Sequence, residues 1–101
     1  MSMSSKHTND WPFKDPKNVA VFTTADIITA RMPILYVSHD VSDNAWQFHS
    51  GRNADITQAK LVCLHEIVAI DPTIKELADL PEGSVAERAT AKSPWRRYCK
   101  T

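Results

Sequence analysis

Two short apolar segments, separated by a run of turn-forming residues, constrain the fold of this chain more than any other feature. Residues 34–39 and 45–49 both have the composition of a strand. In the second segment Trp46 and Phe48 alternate with polar residues, which places both aromatic side chains on one face. The connecting residues 40–44 are rich in Asp, Ser and Asn, which favour turns. The sequence therefore predicts a hairpin with Trp46 and Phe48 in the core.

The rest of the chain alternates between short strand-like and short helix-like segments. Each segment ends at a proline or at a group of turn-forming residues, which limits its length. This mixture predicts an α+β fold, with a small, mostly antiparallel sheet and two or three short helices in a single domain. Further strands are expected at 19–22, 60–64 and 85–90, and helices between 24 and 33, at 66–70 and between 71 and 81.

Prolines and glycines are expected to shape the connections between these segments. Asp71 is a good N-cap, and Pro72 suits the first helical position because its missing N–H is not needed there. Pro81 is expected to end this helix, and Gly83 permits the following turn. Gly51 is expected to provide a backbone shape that a side chain would obstruct.

The chain divides into three parts by composition. Residues 1–18 are polar and aperiodic, which predicts a flexible N-terminal arm that Trp11 and Phe13 can anchor to the body. Residues 19–95 form the α+β domain, and residues 96–101 form a basic C-terminal tail. The longest apolar run is far shorter than the roughly 20 residues that span a bilayer, so we expect no membrane association. No signal peptide is recognisable, so we expect a cytoplasmic location.

Charge is balanced overall but segregated along the chain. Lys and Arg together number 12, as do Asp and Glu, and a net charge of zero disfavours nucleic-acid binding. Residues 66–87 contain six acidic residues and one basic residue, whereas residues 92–101 contain four basic residues and no acidic one. The acidic run at 66–87 is either a solvated face or a surface for a basic partner. The residues proposed to contact a partner are Glu76, Asp79, Glu82, Glu87 and Arg88.

The chain has no recognisable catalytic motif. Its histidines and Cys63 are the only group with metal-binding or nucleophilic chemistry, and their spacing matches no zinc motif. In the predicted hairpin His39 and His49 flank the turn and can face each other, whereas Cys63, between apolar neighbours, is expected to be a buried thiol. We therefore expect no enzyme activity, no metal, no cofactor and no disulfide between Cys63 and Cys99.

Three segments are similar, in order along the chain, to motifs of one known family. Residues 45–51, Ala-Trp-Gln-Phe-His-Ser-Gly, resemble its G-W-R-F-x-S-G motif, and residues 71–74, Asp-Pro-Thr-Ile, resemble its D-P-S-I motif. Residues 80–88, Leu-Pro-Glu-Gly-Ser-Val-Ala-Glu-Arg, resemble its S-P-V-G-S-A-F-E-R motif. This is the immunity-protein-33-like family of small bacterial domains of unknown function. The resemblance implies an α+β fold and a role in neutralising a toxin, without catalytic residues.

Two classes of function follow from the sequence. The first is a non-catalytic protein-binding module resembling toxin-immunity proteins, with a protein partner that is expected to be a basic toxin domain. The alternative is a small nucleic-acid-associated or metal-binding regulatory protein, which would use the histidines or the basic tail with Trp95 and Tyr98. The balanced charge and the lack of motifs favour the first class.

Overall fold

The described chain consists of short strands interspersed with short helices. The computed structural model describes residues 11–41, 45–52 and 56–99. We number the strands β1 (Ala20–Thr24), β2 (Tyr36–His39), β3 (Trp46–His49), β4 (Ala59–Cys63), β5 (Ser84–Glu87) and β6 (Arg96–Cys99). The α-helices are α1 (Ala25–Thr29) and α2 (Leu64–Ile70), and the 3-10 helices are η1 (Ile56–Gln58) and η2 (Pro72–Leu77).

The strands form one sheet in the order β4-β1-β3-β2-β5-β6. Every neighbouring pair is antiparallel except β1 and β3, which run parallel with Phe22 opposite Gln47. The predicted α+β fold with a mostly antiparallel sheet is therefore confirmed. Among the described residues, no helix has the length and apolar composition needed to cross a bilayer.

The hairpin of β2 and β3 provides the centre of the core. Val37 lies opposite Phe48, and His39 lies opposite Trp46, as an antiparallel pairing across residues 40–44 predicts. Trp46 and Phe48 are both buried, which confirms their predicted place in the core. Residues 42–44 of the predicted turn lie outside the described residues. The buried apolar residues that pack with this pair include Phe13, Val21, Ile27, Ile34, Val37, Leu64, Ile67, Ile74, Leu77, Leu80 and Ala86.

The predicted helix after Asp71 is present, but it is a 3-10 helix. The Asp71 side chain accepts a hydrogen bond from the Thr73 backbone N–H at 3.0 Å, and Pro72 occupies the first turn, as expected from their capping chemistry. Ala78 N–H donates to the Lys75 carbonyl, which is the three-residue spacing of a 3-10 helix. The helix ends at Leu77, so Pro81 lies beyond its end and is not the residue that stops it.

The two glycines differ in what they do. Gly83 has a φ of +84°, and a Cβ there would lie 2.9 Å from Val41 Cγ2, so the turn needs glycine, as predicted. A Cβ at Gly51 would meet no atom within 4 Å, and its φ is not positive. The expectation that a side chain would obstruct the backbone at Gly51 is therefore wrong.

The described part of the N-terminal arm is packed against the sheet. Phe13 is buried and lies edge-on to Trp46, with ring centroids 5.5 Å apart. Asp15 accepts hydrogen bonds from two indoles, through its backbone carbonyl from Trp11 at 2.7 Å and through Oδ2 from Trp46 at 2.9 Å. Residues 11–18 are thus anchored by the aromatic residues, and the first ten residues lie outside the described part of the chain.

The segment assigned to a basic tail contains the sixth strand. Residues Arg96–Cys99 form β6, which pairs with β5 at the edge of the sheet. The sheet therefore extends past residue 95, where the sequence analysis ends the domain. All four residues are exposed, which is why their composition lacks the apolar alternation of a half-buried strand.

Candidate functional site

A cleft of about 420 Å³ brings together acidic and aromatic side chains from three parts of the chain. The N-terminal segment provides Lys14 and Asp15, and the segment after η2 provides Asp79 and Glu82. We call this site the acidic cleft and define it by Lys14, Asp15, His39, Trp46, Asp79 and Glu82. Three carboxylates face one ammonium group in this cleft, so its potential favours cations.

The wall of the acidic cleft is a stacked pair of rings from β2 and β3. The His39 and Trp46 rings are stacked and nearly parallel, with centroids 3.9 Å apart and an interplanar angle of 12°. His39 Nδ1 lies 2.9 Å from the Leu80 carbonyl oxygen, which can only accept, so Nδ1 donates this hydrogen bond. The indole N–H of Trp46 donates to Asp15 and holds that carboxylate at the cleft. The hairpin register places both rings on one face.

The acidic residues after η2 are exposed, and one of them is paired with β6. Arg97 donates to Asp79 Oδ1 at 2.8 Å and to the Glu76 carbonyl at 2.7 Å. The hydrogen bond and charge of Arg97 hold the pKa of Asp79 below its usual range. The carboxylates of Glu76 and Glu82 form no ion pair with any residue in the described ranges. Asp79 and Glu82 line the acidic cleft, whereas Glu76 is not among its lining residues.

Glu87 lies on the opposite face of the sheet from Trp46 and holds a separate network. Arg52 donates to both of its carboxylate oxygens, at 2.6 and 3.1 Å, and the Tyr98 hydroxyl donates at 2.7 Å. Arg96 adds an ion pair at 3.6 Å. The hydrogen bond from Arg52, followed by that from Tyr98, lowers the pKa of Glu87. The structure thus places Glu87 outside the acidic cleft, among its own cationic partners.

Arg88 is buried and holds the helix η2 against the sheet. Its guanidinium donates to Asp71 Oδ2 at 2.7 Å, to Thr73 Oγ1 at 3.1 Å and to the Ile34 carbonyl at 3.0 Å. The same group lies over the Trp95 ring, 4.0 Å from its centroid. With 2% of its side chain exposed, Arg88 is placed for a structural role and not for the predicted contact with a partner.

The histidines of the hairpin do not come together. His39 lies opposite Trp46 and His49 lies opposite Tyr36, and these two pairs project from opposite faces of the sheet. The expectation that His39 and His49 face each other is therefore wrong, because Tyr36, the residue opposite His49, is three positions from His39, and an odd offset on a strand places side chains on opposite faces. In residues 11–41, 45–52 and 56–99, no three His, Cys, Asp or Glu side chains are grouped as metal ligands.

The cysteines lie at opposite edges of the sheet. Cys63 ends β4 and caps α2, and its backbone N–H donates to the Glu66 carboxylate at 2.8 Å. It is half-buried rather than fully buried, because β4 is an edge strand. Cys99 is exposed on β6, and His65 is exposed on α2. Both thiols are free in the structure.

Sequence reasoning identified part of the acidic cleft and missed the rest. Asp79 and Glu82 were among the residues proposed to contact a partner. Asp15, in contrast, lies in a segment expected to be flexible, and Arg97 in a segment expected to be a tail. The only sequence signal for Asp15 is its position near Trp11 and Phe13, the two residues expected to anchor the arm.

Comparison with known proteins adds no relative: no protein-family model, curated protein or solved structure matches this chain. The fold and the site define a small α+β protein with an acidic cleft walled by stacked rings. Its function is therefore inferred from the contacts and charges of the residues themselves.

Proposed function

We propose that this protein is a non-catalytic protein-binding module of the toxin-immunity kind, which binds a basic protein partner at the acidic cleft. The observation that carries the proposal is the convergence of Asp15, Asp79 and Glu82 beside one stacked pair of rings. Carboxylates at the rim of a cleft attract a basic partner and repel acidic ones, which speeds encounter and gives specificity. Within the stacked pair Trp46 is buried, and the half-buried ring of His39 is the one on which an arginine guanidinium can lie.

The segments that resemble immunity-protein-33-like motifs contribute to the same cleft. Residues 45–51 provide Trp46, and residues 80–88 provide Glu82. The third segment, residues 71–74, lies within the cap and first turn of η2, the helix that precedes Asp79. This arrangement supports the proposal that a toxin domain is the partner. We further propose that the protein acts in the cytoplasm.

The contact between Arg97 and Asp79 is compatible with exchange for a partner's cation. Both side chains are substantially exposed, at 40% for Arg97 and 79% for Asp79. Exposed ion pairs contribute little to stability, so a partner's arginine or lysine can replace Arg97 at small cost. Arg96 and Arg97 both lie beside carboxylates of this chain, which lowers the positive potential that the nucleic-acid alternative would need.

The test begins with the identification of the partner. The tagged full-length protein is captured from its native host, and the proteins that co-purify are identified by mass spectrometry. Association rates with the purified partner are then measured at low and high salt for three variants. Asp79→Lys and Glu82→Lys are each expected to slow association roughly tenfold at low salt, with a smaller effect at high salt. Arg97→Ala is expected to accelerate association, because it frees the Asp79 carboxylate.

A control separates a local effect from a change in net charge. Gln58 and Ala91 are exposed and lie outside the cleft, so the double variant Gln58→Lys/Ala91→Lys adds the same charge as Glu82→Lys elsewhere. We expect it to change the association rate much less than Glu82→Lys does. Equal slowing by the control and the cleft variants, or unchanged rates in all of them, would show that the acidic cleft is not the binding surface.

A further inference from the structure

A pocket of about 470 Å³ lies beside the Glu87 network. Its lining comes from the end of β5, the segment that joins β5 to β6, the first residue of β6 and the segment after β3. This volume is within the range of small-molecule sites and leaves room for a ligand larger than a single ion. We call it the arginine pocket and define it by Arg52, Glu87, Arg88, Ala89, Pro94 and Arg96.

The fold brings two guanidinium groups to one carboxylate in this pocket. Glu87 lies directly opposite Arg96, and both side chains project from the face of the sheet opposite to Trp46. Arg52 reaches the same carboxylate from the segment after β3. Glu87 Oε1 is 2.6 Å from Arg52 Nη2 and 3.6 Å from Arg96 Nη2. Because both guanidinium groups border one oxygen atom, a single anion can contact them both.

The charges of the arginine pocket do not balance. Among the residues that the structure describes, Glu87 is the only carboxylate within ion-pair distance of Arg52 or Arg96. Arg88 is balanced separately by Asp71, which does not line the pocket. Arg52 and Arg96 thus share a single negative charge. One positive charge is left uncompensated, so the potential in the pocket attracts an anion.

The groups that would hold an anion are accessible to it. Arg96 has 77% and Arg52 63% of its side chain exposed, whereas Glu87 has 15%. The ion pair of Arg96 is longer than a hydrogen bond, and its guanidinium donates to no other group in residues 11–41, 45–52 and 56–99. The planar fork of N–H groups on Arg96 can therefore bind two oxygen atoms of one ligand.

We propose that the arginine pocket binds a ligand through a single carboxylate, which Arg96 holds with Arg52 beside it. A carboxylate supplies the one negative charge that the pocket lacks, and its two oxygens match the guanidinium fork. A phosphate monoester carries nearly two negative charges at neutral pH, and Glu87 would repel the second. Ala89 and Pro94 form the apolar lining, so the body of the ligand is aliphatic and small.

The arginine pocket is separate from the acidic cleft. No residue lines both sites, and the side chains of Glu87 and Arg96 lie on the other face of the sheet from Trp46. The proposed ligand can therefore bind whether the acidic cleft is empty or occupied. This inference is independent of the proposed function, and its test needs no protein partner.

Titration of the ¹⁵N-labelled full-length protein with propionate, at constant ionic strength and about pH 7, tests the site. We expect saturable shifts of the Glu87 and Arg96 backbone amide signals, with a dissociation constant in the millimolar range, and none with propionamide. Arg96→Gln should weaken propionate binding roughly tenfold, and Arg52→Gln should also weaken it. Arg97→Gln is the matched control, because it removes the same charge from the other face of β6 and should bind like the wild type. No saturable shift, or equal weakening by Arg96→Gln and Arg97→Gln, overturns the inference.

Sulfate, which stays a dianion at this pH, tests the charge of the ligand. The wild-type protein should bind sulfate more weakly than propionate, because Glu87 repels a second negative charge. Glu87→Gln removes that repulsion, so its affinity should rise more for sulfate than for propionate. Tighter binding of sulfate than of propionate by the wild-type protein contradicts the assignment to a carboxylate.

A peptide probe identifies the source of the carboxylate. N-acetylated dialanine carries one free carboxylate, and its C-terminal amide is the uncharged control. Tighter binding of this peptide than of propionate supports the site and identifies a peptide C-terminus as its ligand. Binding no tighter than that of propionate supports the site and indicates a small organic acid. Equal binding of the peptide and its amide overturns the proposal, because recognition would not depend on the carboxylate.

Discussion

Removal of the Asp71 charge is expected to destabilise the protein strongly while leaving the cap of η2 in place. Asp71 is the only carboxylate within ion-pair distance of Arg88 among the described residues. Arg88 has 2% and Asp71 17% of its side chain exposed, so the pair is largely shielded from water. Asn is also a good N-cap and hydrogen-bond acceptor, so Asp71→Asn changes the charge while the contact with Thr73 N–H can persist.

The expected magnitude follows from the burial of Arg88. Breaking a buried ion pair from one side costs about 3–5 kcal/mol, because an uncompensated charge remains inside the protein. The Arg88 guanidinium would keep its bonds to the Ile34 carbonyl and to Thr73, together with its contact to Trp95. We therefore expect Asp71→Asn to cost about 3 kcal/mol, at the lower end of that range. For a domain of this size, this corresponds to a fall in melting temperature of roughly 12 °C or more.

Urea unfolding of four proteins measures this effect. They are the wild type, Asp71→Asn, Arg88→Met and the double variant, which together form a double-mutant cycle. Since the double variant leaves no buried charge unpaired, it should be more stable than the sum of the single effects predicts. Asp79→Asn removes the exposed partner of Arg97 and is the matched control, with an unfolding midpoint close to the wild-type value. A cost below about 1 kcal/mol for Asp71→Asn, with additive single effects, would refute the assignment of Arg88 as a buried ion-pair residue.

Two further predictions concern a turn and a surface network. Gly83→Ala is expected to lower the free energy of unfolding in urea by more than about 1 kcal/mol, because φ is positive and the added Cβ would lie 2.9 Å from Val41. Gly51→Ala should be close to neutral. Equal costs for the two substitutions would contradict this prediction. The hydrogen bonds from Arg52 and Tyr98 depress the folded-state pKa of Glu87 below its ordinary value of 4.5. The ionised Glu87 therefore stabilises the folded state fully above pH 4.5, and this stabilisation is lost as the pH falls through the lower folded-state pKa. Unfolding free energies measured across this acidic range should fall less steeply for Glu87→Gln, and parallel curves for the two proteins would exclude the effect.

The features that sequence reasoning predicted correctly depend on neighbouring residues. The alternation of Trp46 and Phe48 indicated a buried strand face, because side chains on a strand alternate between its two faces. Asp71-Pro72 indicated a helix start, because each residue satisfies a requirement of the first turn by itself. These signals are carried by a few consecutive residues, so no knowledge of distant contacts was needed.

The features that sequence reasoning missed depend on contacts between distant segments. Arg88 bonds to Asp71, 17 residues away, and to the Ile34 carbonyl, 54 residues away. Nothing in the composition around Arg88 distinguishes a buried guanidinium from an exposed one. Asp15 joins the acidic cleft only because the Trp46 indole, 31 residues further along, donates to it. The register that brings such groups together is a property of the folded sheet.

In the folded chain, residues of the acidic run pair with residues of the basic run. The sequence left the charge runs open as solvated faces or as surfaces for other molecules, yet in the structure Arg97 pairs with Asp79, and Arg96 with Glu87. Part of the acidic run is thus neutralised by the strand that follows it, which reduces the field available to a basic partner. Glu82 and Asp15 are not held by these arginines, so in the proposed complex they would provide the attraction at long range, whereas Asp79 would become available once a partner's cation displaced Arg97. Under the proposed function Arg97 therefore competes with the partner, and its removal should favour association even though it removes an ion pair from the protein.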